Sequence, residues 1–345
     1  MKKLLFVMPL AALLWAGCKN DFEVAAPWKE VPVVYAILSP DDTAHYVRVE
    51  KAFLDPQKGA TEIAQIPDSL YYPENAITVY LERDSDKKRF QMTRVDGTKE
   101  GFARKPGIFA TAPNWLYKLK PSVGQPILDI GKKYSVVLKR NDGQPDVTGS
   151  TTVPGDYFFN APNQLQIPPL ISFGSGKPTS LQWRTDVNAL FFDVYLTIRY
   201  REEAADGTVL NKKTLYWKAV SKAKRNLKPL AGSGNFIGTA EILGDDLFAF
   251  LAANIPPANG TFRYFEAMDV TLEGGGVELE KFYEVASASG GITGAEIVPT
   301  YTNMSEGYGL IISKNATTLG GVRVQPVTVD EMNKLDLTRP LNFRF

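Results

Sequence analysis

Apolar and polar residues alternate with a period of two in several stretches of the chain. Between Phe192 and Tyr200 the even-numbered positions are apolar, whereas Asp193, Thr197 and Arg199 stand at odd positions. Successive side chains of a β-strand point to opposite faces, so this spacing predicts strands with one face toward a core. The same spacing recurs in three further groups, which are Val47 and Val49; Ile77, Val79 and Leu81; and Tyr134, Val136 and Leu138.

The connections between these stretches carry the residues that tight turns require. Asp142-Gly143 and Asp206-Gly207 each provide a glycine for the positive φ of a short turn. Together with the alternation, such turns indicate antiparallel strands joined by hairpins.

We therefore predict an all-β fold of two immunoglobulin- or fibronectin-like β-sandwich domains, with one or two short helices in the second. Residues 31–154 hold about seven candidate strands, a number that also fits a jelly roll or an open barrel. Pro154-Gly155 and the prolines that follow predict a linker over 155–179. The second domain spans 180–345, with candidate strands near 180–183, 191–201, 214–220, 262–272, 277–287, 308–313 and 322–327.

Two short helices are predicted inside the second domain. Asp245 is a candidate N-cap for a helix that ends near Asn254, before two prolines. Thr328 and Glu331 have the spacing of a capping box. Trp183, on the first strand of this domain, is expected to fill its core.

The N-terminus has the pattern of a secretory signal. Two lysines precede the 12-residue apolar run Leu4–Trp15, which is too short to span a bilayer as a helix. Small residues follow, and then Cys18, which is the only cysteine of the chain. We predict a signal peptide over 1–17, lipidation of Cys18 and a lipidated tether over 18–30. Ordinary cleavage nearby, leaving a free thiol, is the alternative.

The charge of the chain is nearly balanced. The 345 residues include 39 basic and 38 acidic side chains, and removal of the predicted signal peptide leaves 37 against 38. A neutral body lacks the basic patch that nucleic-acid binding requires, so we expect no nucleic-acid partner.

No catalytic, metal or cofactor motif is found. His45 is the only histidine, and its position on the apolar face of a strand favours a structural role. Gly174–Thr179 resembles a phosphate loop, but Pro178 stands where Ser or Thr would bind magnesium. The carboxylates are numerous and none forms an evident catalytic pair, so we predict no enzyme activity, no metal site and no cofactor. A glycosidase pair is left open.

The long loop over 54–75 gives the only candidate binding surface. It is rich in Pro, Asp and Gln and carries Tyr71 and Tyr72. Long loops on rigid scaffolds often carry recognition, so these two tyrosines are the predicted contact residues.

Several stretches resemble a family of Bacteroidetes-type cell-envelope lipoproteins classed as a domain of unknown function. They are Cys18, Val31–Leu38, Val47–Phe53, Pro67–Tyr71, Pro299–Asn303 and Gly307–Leu310. The resemblance implies an envelope role near TonB-dependent outer-membrane receptors, and it implies no functional residue besides Cys18.

These observations favour an outer-membrane lipoprotein, at the cell surface or on the periplasmic face, that acts as a non-catalytic binding or accessory module. Its expected partners are the membrane, through lipid on Cys18, and an outer-membrane receptor, another envelope protein or a glycan. A carbohydrate-active or other hydrolase and a purely structural envelope component are the alternatives.

The lipidation prediction is tested by Cys18→Ala. Because the thiol is the only site for the lipid, the variant should leave the membrane fraction and lose incorporation of a labelled fatty acid. Fractionation with metabolic labelling measures both, and Lys19→Ala is the matched control that should behave as the native protein. A membrane-bound, unlabelled Cys18→Ala variant would contradict the assignment.

Overall fold

The computed structural model describes residues 30–52, 59–122, 127–288 and 301–345. The predicted signal peptide 1–17, Cys18 and all of the predicted tether except Glu30 lie outside these residues. Strands make up 48% and helices 13% of the structure, which confirms the prediction of an all-β fold. No helix among the described residues has the length and hydrophobicity needed to cross a membrane.

The strands occur along the whole described chain. In chain order they are β1 Val31–Leu38, β2 His45–Ala52, β3 Ile77–Arg83, β4 Lys88–Gln91, β5 Thr93–Asp96, β6 Trp115–Leu119, β7 Lys133–Arg140, β8 Val147–Thr152, β9 Phe158–Ala161, β10 Leu170–Ile171, β11 Pro178–Thr185, β12 Phe191–Glu203, β13 Val209–Lys224, β14 Phe236–Leu243, β15 Phe262–Gly275, β16 Tyr308–Val324 and β17 Phe343–Arg344.

Three sheets contain these strands. The largest has ten strands and the order β13-β12-β15-β16-β1-β2-β6-β5, with β10 paired to β16 and β17 paired to β15. A four-stranded sheet has the order β4-β3-β7-β8, and a three-stranded sheet has the order β14-β11-β9.

The first core lies between the four-stranded sheet and one half of the large sheet. Alternate residues of β2, β3 and β7 are buried there, as their period-two pattern predicts, and alternate residues of β1 are buried there too. The core includes Val34, Val47, Leu81, Val136 and Ile311.

The second core lies between the other half of the large sheet and the three-stranded sheet. Trp183 is fully buried at its centre, as predicted, and meets Phe192 edge to face with ring centroids 5.0 Å apart. Gly238 packs against the indole so closely that a Cβ there would lie 2.2 Å from it.

Strand β16 belongs to both cores. Its first residues pair with β1 in parallel, from Val33↔Tyr308 to Leu38↔Ser313, and the following residues pair with β15 in antiparallel. One sheet therefore runs through both halves, so the immunoglobulin- or fibronectin-like topology predicted for each half is not confirmed. The predicted first domain, 31–154, lacks the residues around Met304 and Ile311 that complete its core. The predicted linker, 155–179, contains β9, β10 and the start of β11.

The helices are short. They are α1 Ala60–Ala64, α2 Pro67–Leu70, α3 Gly244–Asn254, α4 Val277–Ala288 and α5 Pro326–Lys334. Helices α3 and α5 confirm the two predicted helices, whereas α4 replaces the strand predicted over 277–287. The pattern of Val277 and Leu279 resembled a strand, but Glu and Lys, both good helix formers, follow.

The two predicted helix caps form contacts elsewhere. The carboxylate of Asp245 accepts hydrogen bonds from Ser175 Oγ (2.8 Å) and Gly176 N (2.9 Å), so it holds the loop that resembled a phosphate loop. Thr328 Oγ1 accepts a hydrogen bond from Phe173 N at 2.8 Å. Both side chains connect helices to the 173–176 segment instead of capping their own helices.

His45 lies on the core face of β2, as predicted, and is 1% exposed. Neither ring nitrogen has a hydrogen-bond partner among the described residues. Burial lowers the pKa of His45, and the charge of Asp42 acts in the opposite direction. The folded protein therefore favours the neutral imidazole.

This pKa shift predicts a pH-dependent loss of stability. Above the ordinary histidine pKa of about 6.5 the imidazole is neutral in both states, and the folded protein has its full stability. As the pH falls from there through the lower pKa of the folded state, the unfolded chain binds the proton more readily, and the free energy of unfolding decreases. His45→Leu removes the titration and breaks no hydrogen bond, so its free energy of unfolding should fall less between pH 7.5 and about pH 5. Urea unfolding at the two pH values measures the difference, and an equal fall in both proteins would contradict the prediction.

Candidate binding cleft

The outer face of the large sheet carries exposed apolar side chains where strands β16, β1 and β2 lie side by side. On β1, Val34 and Ala36 face the first core, and Tyr35 and Ile37 point the other way with 45% and 50% exposure. On β16, Ile311 faces the core, so Leu310 and Ile312 point to the same side as Tyr35, where they are 4% and 2% exposed. This face of the sheet forms the floor of a cleft.

The cleft has a volume of about 860 Å³, within the range of ordinary ligand sites. Helix α4 contributes Phe282 to one side, and the 97–104 loop contributes Phe102, which is 48% exposed, to the other. Most of the lining is apolar or aromatic, and the polar lining comes from Asp42, Thr43, Arg48, Glu100 and Lys314.

A buried asparagine holds the 97–104 loop in place. Asn114 is fully buried and its Nδ2 donates to the backbone oxygen of Phe102 at 2.5 Å. The backbone nitrogen of Phe102 in turn donates to Gly97 O at 2.7 Å. The Phe102 ring then lies edge to face against Tyr46, with centroids 4.7 Å apart. The aromatic wall is thus fixed before any ligand binds.

The charged groups beside the cleft are paired with one another. Glu100 Oε2 accepts from the hydroxyl of Tyr46 at 2.9 Å and from Lys118 Nζ at 2.5 Å. Arg48 Nη1 donates to Asn114 Oδ1 at 2.8 Å and to Glu50 Oε1 at 3.1 Å.

A third ion pair involves the lining residue Lys314, whose Nζ donates to Glu273 at 2.7 Å. Because Arg48, Glu100 and Lys314 are paired, the cleft offers a largely apolar surface with a polar rim, and Asp42 is the lining residue whose charge has no ion pair with a described residue.

Two carboxyl groups of the lining have pKa values that shift in opposite directions. Burial raises the pKa of Asp42, although His45 and Lys314 act against this shift. The hydrogen bond from Lys118, followed by that from Tyr46, lowers the pKa of Glu100. One carboxyl group with a raised pKa and another with a lowered pKa in the same cleft is a pattern found in acid–base catalysis.

The predicted contact residues Tyr71 and Tyr72 are not at the surface. They are 4% and 5% exposed, and Tyr72 packs in the first core, where Lys51 lies 5.9 Å from its ring centre. Tyr71 packs with Leu70, next to half-buried Trp115. The described part of the loop, from Gly59 onward, folds into α1 and α2, which turn these rings inward.

The cleft residues are far apart along the chain, so no local pattern predicted them. Tyr35 and Ile37 lie within the apolar run Val31–Leu38, which predicts a strand buried on both faces. Phe102 and Phe282 come from a loop and a helix that the pattern did not predict. The one local feature that indicated the cleft was the apolar character of Tyr35 and Ile37, which point away from the core.

The described residues contain no cluster of three or more His, Cys, Asp or Glu side chains placed to hold a metal ion. No protein-family model matches the chain, and no curated protein is significantly similar to it in sequence.

Proposed function

We propose that the protein is a lipid-anchored binding module of the bacterial cell envelope, attached through Cys18, which uses the cleft to bind an apolar segment of a partner protein. The sequence of the N-terminus supports the anchor. The observation that carries the binding role is the cleft itself, in which preorganised aromatic side chains surround an aliphatic floor.

The chemistry of the lining favours a protein segment over a sugar. Tyr35, Ile37 and Phe102 are half-exposed apolar or aromatic side chains, and a bound apolar segment gains free energy by covering them. Leu310 and Ile312 are already buried and support this surface from below. Sugars are bound through hydroxyl groups, and the polar side chains of this cleft are largely engaged with one another. An apolar peptide segment needs no such partners.

The rim can still orient a partner. Arg48, which is paired with Glu50, and Glu100, which is paired with Lys118, lie beside the apolar floor. This is the arrangement of a protein interface with an apolar centre and a polar rim. Apolar burial would then supply the affinity, and the rim would fix the register of the bound segment.

A hydrolase is the second candidate, because Asp42 and Glu100 line one cleft and their pKa values shift apart. In that reading Asp42, whose pKa is raised, is the general acid, and Glu100, whose pKa is lowered, is the base or nucleophile. The ion pair of Glu100 with Lys118 weakens it as a base, so the binding role is preferred.

The binding role is tested by Ile37→Glu, with Leu227→Glu as the matched control at an apolar residue that is 86% exposed away from the cleft. A carboxylate buried against apolar groups costs more than about 1.4 kcal/mol, so recovery of the partner should fall about tenfold. Affinity purification from gently solubilised membranes with mass spectrometry measures the recovery. Equal recovery of the same partner by both variants would contradict the assignment of the cleft.

The hydrolase reading is tested on a panel of polysaccharides and peptides. We expect no turnover by the native protein and no difference between Asp42→Asn and Asp41→Asn, which changes the neighbouring carboxylate outside the lining of the cleft. Turnover that Asp42→Asn and Glu100→Gln abolish, and that Asp41→Asn leaves intact, would establish the enzyme instead.

A further inference from the structure

Strand β13 is the last strand of the ten-stranded sheet, and one of its edges is open. It pairs with β12 on one side only. On the other side, the described residues first form a bridge at Arg225↔Gly238, beyond the end of the strand. The outward backbone N–H and C=O groups of the regular part of this edge, residues 211–218, are therefore available to another strand, whereas the end of β13 lies beside β14.

The open edge is straight and well supported. Its pairing with β12 runs without a bulge from Asn211↔Glu202 to Lys218↔Tyr195, which corresponds to about 26 Å of strand. Trp217 anchors it by stacking on Phe250 of α3, with ring centroids 5.1 Å apart and planes 14° apart. A rigid edge loses little conformational entropy when a further strand is added.

Proteins usually protect such an edge with a proline, a bulge, a very short strand or charged side chains, especially lysine, and this region of β13 has only the lysines. Residues 209–224 include five lysines and no acidic residue. If two copies of the chain paired through their β13 edges, the lysines would repel each other. A strand with acidic side chains would instead be attracted to this edge.

Part of this positive charge is not neutralised within the molecule. Lys212, Lys218 and Lys224 form ion pairs with acidic residues of neighbouring elements, yet Lys212 and Lys224 are 69% and 61% exposed. Lys213 and Lys222 make no ion pair with a described acidic residue. The edge is thus positively charged where its backbone is unpaired.

We propose that the edge of β13 binds an extended acidic segment of a partner protein, which joins the large sheet as a further strand. Backbone hydrogen bonds would supply the register, and the lysines would select acidic side chains. On the outer face, Leu210 and Tyr216, which are 50% and 77% exposed, offer apolar contacts between the charged positions. This edge is distinct from the cleft, so the inference does not depend on the proposed function.

The test uses the full chain and fluorescein-labelled synthetic peptides. The probe has eight residues that alternate Glu with Val or Thr. One control replaces each Glu with Lys, and a second keeps the charge but places two prolines at the centre, where they remove backbone donors. Fluorescence polarisation should show binding of the first peptide, with each control at least about tenfold weaker. Equal binding of the proline peptide would overturn the proposal, because charge alone would then explain the affinity.

A pair of variants locates the contact. Lys212→Gln/Lys213→Gln should weaken binding of the acidic peptide about fivefold. Lys132→Gln/Lys139→Gln removes the same charge at and beside β7, whose two edges are already paired, and should leave binding unchanged. An equal loss in the two variants, or no loss in the first, would overturn the assignment to β13. Circular dichroism of each variant establishes that the fold is retained.

Discussion

The close parallel pairing of β1 with β16 is the contact on which the rest of the structure depends. Gly309 has φ of +133°, and a Cβ at this position would lie 1.8 Å from the backbone oxygen of Val34. Only glycine permits this approach of the two backbones. The pairing places Ile311 of β16 in the first core, beside residues of β1, β2, β3 and β7. The same strand continues into the second core, at Val322. Each core therefore needs β16, and the two halves are expected to fold as one cooperative unit.

The alternation of apolar residues was sufficient to predict most strands, because burial of one face leaves a local signature. The pairing of β1 with β16 left none, since it joins residues far apart in sequence and depends on tertiary packing. Local patterns gave the wrong role for side chains that bond to a distant part of the chain. Asp245 and Thr328 have the residue types of helix caps, yet their oxygens bind the 173–176 segment. The predicted strand over 277–287 became α4, which covers the sheet next to the cleft.

The candidate site was harder to predict than the fold, for a physical reason. An exposed tyrosine on a loop and a buried one look alike in a sequence, and Tyr71 and Tyr72 turned out to be buried. Conversely, Tyr35 and Ile37 lie within a continuous apolar run and are half exposed. Only the sheet order shows which face of β1 is covered. The cleft then arises from the ordinary alternation of a strand, on a face where α4 and the 97–104 loop leave a gap.

The position of β1 has a mechanical consequence. Glu30 stands directly before β1, and β1 is hydrogen-bonded on both sides, to β2 and to β16. A pulling force applied at this end acts along the strand, so it loads two ladders of hydrogen bonds in shear and must break many of them together. Peeling a strand from the border of a sheet breaks them one at a time. Tension that entered the molecule at Glu30 would therefore pass through β1 directly into the sheet that forms the cleft floor.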